Sequence, residues 1–195
     1  HFLKQKVRKH PIKTVILVCC LVWYAFCLPR QLFPQPYATV LESSEGKLLG
    51  AKIANDGQWR FPEVDSVPYR FKMSVLQFED AHFYHHWGVN PISVVKSLYR
   101  NITNGKITRG GSTLTQQVIR IAREHQQRTY FEKLIEMIWA TRLEFRYSKE
   151  SILKLYASHA PFGGNVVGLD MAAWRYFGVA PYQLSWAQSA TLAVL

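Results

Sequence analysis

The sequence predicts a mainly α-helical protein with a small N-terminal β-hairpin element and an N-terminal transmembrane helix. Three observations predict this class. Residues 14–28 form an uncharged apolar run, a stretch of alternating apolar and polar residues with turn signals follows, and helical periodicity dominates from residue 69 onward. The 195 residues suffice for one domain with a sizeable core, and 48% hydrophobic residues argue against wholesale disorder.

A basic flank precedes the apolar run, formed by Lys4, Lys6, Arg8, Lys9 and Lys13. A spanning helix needs roughly 17 to 25 residues, so a cleaved signal peptide is the alternative to an anchor. The sequence CLPR at residues 27–30 is a poor cleavage site, which favours an uncleaved anchor over residues 14–28. The basic residues 1–13 then stay in the cytoplasm, and everything after Pro29 lies outside a bacterial-type inner membrane.

The formal net charge of +11 predicts an anionic partner. Nearly half of this charge lies in the basic flank, beside the apolar run, so its position favours a membrane surface over nucleic acid. All three cysteines lie within the apolar run, so no disulfide framework is expected in the exported part.

The exported part begins with a proline-rich linker, residues 29–37, which we expect to be extended. Two alternating stretches separated by SSEG and followed by NDG then predict the hairpin element. Phe71, Val75 and Phe78 follow Pro68 at helical intervals. Four further helices are predicted in LTQQVIRIAREH, KLIEMIWATRLEF, SKESILKLYASHA and SWAQSATLAVL, the first two with capping spacings at Thr113–Gln116 and Thr129–Glu132.

The segment FEDAHFYHHWG, residues 78–88, permits three interpretations. Glu79 with its neighbouring histidines has helical spacing for a metal site, but one Glu-x-x-His supplies too few ligands and no second cluster is present, so no metal site is predicted. The other two are an aromatic helix end with solvated charges and a catalytic carboxylate. The capped helix start at GGST leaves a similar choice, between a phosphate-binding helix N-terminus and an ordinary cap.

Four ordered motifs decide between these interpretations. Residues 79–88 resemble Glu-Asp-x-x-Phe-x-x-His-x-Gly, the first motif of the peptidoglycan glycosyltransferases (family 51), the domain found in class A penicillin-binding proteins. GGSTLTQQ at 110–117 resembles the second motif, and Lys133 and Glu136 match the end of the third, Arg-Lys-x-x-Glu. The fourth motif is matched at Lys149, Ile152, Leu153, Tyr156 and Gly163. The resemblance covers residues 38–195, which we take as the glycosyltransferase domain.

The resemblance implies a lysozyme-like bilobal helical fold and the polymerisation of lipid II, an undecaprenyl-pyrophosphate-linked disaccharide-peptide, into β-1,4 glycan strands. The implied partners are lipid II, the growing glycan strand, membrane lipid and cell-wall synthesis proteins, with no nucleic acid. No essential cofactor is expected, although a divalent metal, Mg²⁺ or Mn²⁺, is compatible with the chemistry. A transpeptidase domain follows in such proteins, so we expect the chain to be truncated at its C-terminus.

The reaction needs one carboxylate to deprotonate the attacking hydroxyl and positive charge to stabilise the leaving pyrophosphate. By resemblance, Glu79 is the general base and Glu136 is the second glutamate, which positions the donor or a metal. The expected substrate-binding residues are Asp80, Ser112, Thr113, Gln117, Arg120, Arg128 and Lys133. From the residues alone, an ion pair between Glu136 and Lys133 is the preferred account of Glu136. Residues 89–109 mix apolar and basic residues, which suits a loop that dips into lipid or an exposed loop.

Two departures from the family pattern stand out. Glu132 replaces the usual arginine of the third motif, and Ala157 and Ser158 replace the usual leucine and asparagine of the fourth. The first places an anion near the expected phosphate site, and the second puts a structural hydrogen bond in doubt. They motivate one alternative function, a non-catalytic membrane scaffold. A second alternative is a lytic enzyme, because lytic enzymes on a lysozyme-like fold also need a single key glutamate.

Overall fold

The structure is a computed structural model that describes residues 11–104, 111–124 and 129–195. The chain divides into two compact units, residues 1–32 and residues 33–195. In the first unit, helix α1 (Pro11–Phe26) exposes its apolar side chains, including Val15, Leu17 and Phe26. Within the described ranges, every helix is too short or too polar to cross a lipid bilayer. Four of the five flank residues, Lys4, Lys6, Arg8 and Lys9, lie outside the described residues.

The predicted hairpin element is confirmed. Strands β1 (Thr39–Glu42) and β2 (Leu48–Lys52) pair antiparallel, with Val40 opposite Ala51 and an irregularity between Leu41 and Glu42. The Ser43 hydroxyl accepts the amides of Glu45 and Lys47 at 3.3 and 3.1 Å, which closes the turn. A second pair, β3 (Trp59–Arg60) and β4 (Val166–Val167), is parallel and joins distant parts of the chain.

Helices make up most of the second unit, which confirms the mainly α class. They are α2 (Tyr69–Glu79), α3 (Pro91–Asn104), α4 (Leu114–Ala122), α5 (Tyr130–Arg146), α6 (Lys149–His159), α7 (Leu169–Phe177) and α8 (Trp186–Val194). Short 3-10 turns lie at Phe83–His85 and Pro181–Gln183. Thr113 and Thr129 cap α4 and α5 as predicted, because each hydroxyl accepts an amide three residues on.

The core forms where α4 packs on α5 and α6, and where α2 packs on α8. The apolar stripe of α2 supplies Phe71 and Val75, both fully buried, and α4 supplies Leu114 and Val118. Phe78 departs from this pattern, with 59% of its surface exposed. It lines a surface hollow of about 320 Å³ between α2 and α8 instead of entering the core.

Residues 33–38, here called the strap, pack along the second unit. The Phe33 ring stacks on His159 of α6 with centroids 3.7 Å apart. Arg60 donates to the Pro36 carbonyl at 2.7 Å, and the Gln35 amide donates to Glu124 at 2.6 Å. The end of the predicted linker is therefore bound to the domain, and its extended conformation stays a prediction.

Candidate active site

Glu79 is the last residue of α2, and its carboxylate faces a cavity of about 230 Å³. The Gln117 amide of α4 donates to Glu79 Oε2 at 2.5 Å. Tyr156 of α6 and Arg120 of α4 also line the cavity. Burial, followed by the negative charge of Glu79, raises the pKa of Tyr156, so the tyrosine hydroxyl stays neutral beside the carboxylate. In the described part of the chain, Glu79 takes part in no ion pair.

Asp80 points the other way, into the protein. Its carboxylate lies 2.9 and 3.0 Å from His86 Nε2 and accepts the Leu114 amide at the start of α4 at 3.0 Å. Both partners are internal, and only 7% of the residue's surface is exposed. The carboxylate fixes the chain after Glu79 against the N-terminus of α4, where negative charge is favoured.

The second motif forms the start of α4. The Thr113 hydroxyl accepts the Gln116 amide at 3.2 Å and donates to the Gly88 carbonyl at 2.6 Å. Thr113 is buried, so its described contacts are structural. Ser112 is half-buried, and its hydroxyl accepts Lys133 Nζ at 2.7 Å and Arg120 Nη2 at 2.9 Å.

A cluster of charges lies where α4 crosses α5. Arg120 donates to both oxygens of Glu136, Nε to Oε2 at 3.1 Å and Nη2 to Oε1 at 3.0 Å, and Lys133 donates to Oε1 at 2.6 Å. Two cations therefore share one buried carboxylate, which leaves a net positive charge. Burial lowers the pKa of Lys133, Glu136 raises it in opposition, and the nearby Arg120 lowers it further.

Helix α4 joins the two parts of the site. Arg120 lines the cavity that Glu79 faces and also binds Glu136, and Gln117 lies one turn earlier on the same helix. The structure therefore brings together Glu79, Ser112, Gln117, Arg120, Lys133 and Glu136 and places Asp80 and Thr113 beneath them. The remaining predicted site residue, Arg128, lies outside the described residues.

The three histidines of the first motif lie in different environments. His82 and His85 are exposed, whereas His86 pairs with Asp80. Throughout the described ranges, no group of three or more histidine, cysteine, aspartate or glutamate side chains is placed to hold a metal ion. Whether a divalent metal takes part stays a prediction.

One buried carboxylate, Glu144, was missed by the sequence analysis. It accepts the Thr115 hydroxyl at 2.6 Å and Lys149 Nζ at 2.8 Å. Lys149 also donates to the His86 carbonyl at 2.6 Å. Glu144 thus connects α4, α5 and α6 to the loop that follows Glu79. A glutamate five residues before Lys149 carries no local pattern that would have marked it.

Both departures from the family pattern have partners in the structure. The Glu132 carboxylate lies 2.7 Å from Arg123, and that guanidinium lies 4.9 Å from the Trp139 ring centroid. The Ser158 hydroxyl accepts the Val64 amide at 3.0 Å, so a hydrogen bond that was in doubt is present in the fourth motif.

Sequence comparison agrees with these motifs. Residues 45–195 match the sequence model of the Transglycosylase family. Penicillin-binding protein 1C of Escherichia coli strain K12 is 38% identical over 171 residues, covering 85% of this chain and 22% of that protein. This likeness was also predicted, from residues 40–62 and from APFGGN at residues 160–165, which resemble that branch of the family.

Two further relatives extend the comparison. Penicillin-binding protein 1A of Aquifex aeolicus strain VF5 is 31% identical over 160 residues, covering 82% of this chain and 22% of that protein. The biosynthetic peptidoglycan transglycosylase of Alcanivorax borkumensis is 39% identical over 137 residues, covering 70% of this chain and 55% of that protein. The chain therefore spans about a fifth of the penicillin-binding proteins and about half of the transglycosylase.

Proposed function

The chain belongs to the Transglycosylase family, and from this membership we propose that it is a peptidoglycan glycosyltransferase of bacterial cell-wall synthesis. It polymerises lipid II into β-1,4 glycan strands by inverting transfer and releases undecaprenyl pyrophosphate. One observation carries the proposal: Glu79, which makes no ion pair with any described residue, lines the same cavity as the cation Arg120. We also propose that the domain has the lysozyme-like bilobal fold that the family resemblance implies.

Glu79 acts as the general base. The acceptor 4-hydroxyl must lose its proton as it attacks C1 of the donor sugar, and a carboxylate within hydrogen-bond reach can take that proton. Gln117 holds one carboxylate oxygen at 2.5 Å, which fixes the orientation of the group, while no cation among the described residues competes for its charge. Glu79 is thereby kept available to the hydroxyl.

Arg120 and Lys133 stabilise the leaving group. The pyrophosphate departs as an anion, so positive charge and hydrogen-bond donors lower the barrier more than a general acid would. Glu136 holds both cations in place, and the Ser112 hydroxyl contacts both of them. Arg128, the remaining predicted phosphate contact, stays part of the proposal as an expectation.

A divalent metal finds few protein ligands here. Glu136 already accepts three hydrogen bonds from Arg120 and Lys133, and Glu79 is a single carboxylate. Mg²⁺ is commonly held by one or two carboxylates together with substrate phosphates. Mg²⁺ or Mn²⁺, if used, would therefore depend on the pyrophosphate oxygens for most of its coordination.

The decisive experiment is polymerisation of labelled lipid II in detergent by the chain and by Glu79→Gln. We expect glycan ladders from the unaltered chain and at least a hundredfold lower rate from the variant, because a lost general base costs about 10²–10⁴ in rate. Glu45→Gln is the matched control, since Glu45 is an exposed turn residue outside the site. It should polymerise normally.

Two outcomes would contradict the proposal. Equal ladders from the chain and from Glu79→Gln would remove Glu79 from the reaction and favour a scaffold role. Shortening of supplied glycan without polymerisation would identify a lytic enzyme on the same fold.

The proposal extends to the membrane, with residues 14–28 as a single-pass anchor in the inner membrane and the catalytic domain on its periplasmic side. Two observations support it, the absence of charge in residues 14–28 and the exposed apolar surface of α1. In the second unit, α3 adds a second exposed stripe with Ile92, Val95 and Tyr99 at helical spacing.

Flotation with phospholipid vesicles tests this attachment. The full chain should float, and the double variant Leu17→Arg, Leu21→Arg should lose flotation, because arginine within an apolar run opposes insertion. Leu49→Arg, at an exposed position of β2, is the control and should float like the original. Undiminished flotation of the double variant would reject residues 14–28 as the anchor.

A further inference from the structure

Two ion pairs, here called the first and the second rung, connect α4 and the residue that directly follows it to α5. Arg120 binds Glu136 at 3.0 Å, and Arg123 lies 2.7 Å from Glu132. Arg123 follows Arg120 by three residues, and Glu132 precedes Glu136 by four. Each rung is therefore displaced by about one helical turn from the other, which puts the two arginines roughly 5–6 Å apart at their Cβ atoms.

The surroundings of the two rungs differ. The first includes Lys133 and Ser112, has one cation in excess, and leaves 42% of the Arg120 side chain exposed. The second rung contains one cation, Arg123, and one anion, Glu132, so its charges balance. Glu132 lies 2.7 Å from Arg123, whose guanidinium carbon lies over the Trp139 ring at 4.9 Å from its centroid, and the Arg123 side chain is only 16% exposed.

We infer that Arg123 and Glu132 form a positioning pair whose function is to withhold the charge of Arg123 from the anion site at the first rung. The inference rests on the proposed function, in which that site receives pyrophosphate. Arg123 lies about one helical turn from Arg120 and already contacts Glu132 and Trp139, so it acts on the anion through the electrostatic field and not as a ligand. The family pattern places arginine at position 132, and this chain compensates its glutamate there with Arg123.

The charge balance affects release of the product. A leaving group that is bound too tightly slows turnover once release limits the rate. An unpaired cation one turn from Arg120 would hold pyrophosphate more firmly, whereas an unpaired anion there would repel it. The pair therefore sets an intermediate affinity for the leaving group.

The test uses the full 195-residue chain in detergent with Glu132→Gln, Arg123→Gln and the double variant. Binding of inorganic pyrophosphate is measured by calorimetry, and kcat and KM are measured with labelled lipid II. We expect Glu132→Gln to tighten pyrophosphate binding roughly tenfold and to lower both KM and kcat. Arg123→Gln should weaken binding by a similar factor and raise KM, and the double variant should return to within about threefold of the original.

The opposite signs separate this role from a purely structural one. If the pair only holds the helices together, both single variants lose stability and weaken pyrophosphate binding in the same direction. Shifts of the same sign, or no measurable pyrophosphate binding by any of the four proteins, would overturn the inference. Opposite shifts in a chain that fails to polymerise lipid II would instead refute the proposed function and leave the charge pair standing.

Discussion

Glu79 and Asp80 are adjacent carboxylates with opposite environments. Helix α2 ends at Glu79, and Asp80 has left the helix with φ −158°. The change in backbone direction sends Glu79 toward the cavity and Asp80 into the interior, where His86 and the Leu114 amide hydrogen-bond to the Asp80 carboxylate. Composition and periodicity could not have distinguished the two residues, because both are acidic residues at a predicted helix end. Only the order of the family motif pointed to Glu79.

Gly88 of the first motif is required to be glycine by its backbone conformation and its immediate contacts. Its φ is +72°, and a Cβ built there would lie 2.5 Å from the Ala140 carbonyl oxygen of α5. Gly57 has a similar φ of +75° but open space around it. We expect Gly57→Ala to cost about 1 kcal/mol in free energy of unfolding, from backbone conformation alone. Gly88→Ala should cost about 1–3 kcal/mol more, because the backbone of α5 must move.

Denaturant unfolding of the two variants measures this difference directly. Equal destabilisation would show that the α5 backbone yields at no cost and that Gly88 is needed only for its φ.

At the scale of elements, caps and apolar stripes were predictable from sequence because their partners are three or four residues apart. The Thr113 and Thr129 caps are present, as are the helices that begin after Pro68, Ser148 and Ser185. Residues 89–109 were predicted to be a loop, and this is wrong over Pro91–Asn104, which form helix α3. Helix α7 was not predicted either. It starts at Gly168 without a side-chain cap, so it lacks the usual start signal.

Elements that depend on distant partners could not be predicted. The two-residue strands β3 and β4 exist because residues 59–60 meet residues 166–167, and neither stretch is long enough to show a period. The strap is a similar case. Its prolines predicted extended backbone, but the stacking of Phe33 on His159 depends on a contact across 126 positions, from 33 to 159. Near the candidate site, the contacts of Glu144 and the ion pair between Arg123 and Glu132 were not predicted, because their partners are not at helical spacing in the sequence.

For the whole molecule, Asp170 makes the folded state less stable as the pH rises toward neutrality. Burial, with the charges of Glu42 and Asp65, raises its pKa from 3.8 to about 6. Between these values the folded chain binds a proton more readily than the unfolded chain does. The contribution of this group is therefore fully present below about pH 4 and is lost as pH rises through 6.

Asp170→Asn removes this dependence. The variant should be more stable than the original by about 1–2 kcal/mol at pH 7, because the neutral amide avoids the cost of a buried charge. The difference should vanish below about pH 4. Unfolding free energies measured from pH 4 to 8 test this, with Glu45→Gln as the control for charge removal at an exposed turn. Parallel curves for the original and Asp170→Asn would contradict the assignment.

Gly88 also determines how the site can move. With no side chain between them, the loop backbone at Gly88 and the backbone of α5 are in direct contact, and Thr113 ties the same loop residue to α4. We therefore expect the loop that follows Glu79 and α5 to move together as one mechanical unit, and not as a lid hinged at Gly88.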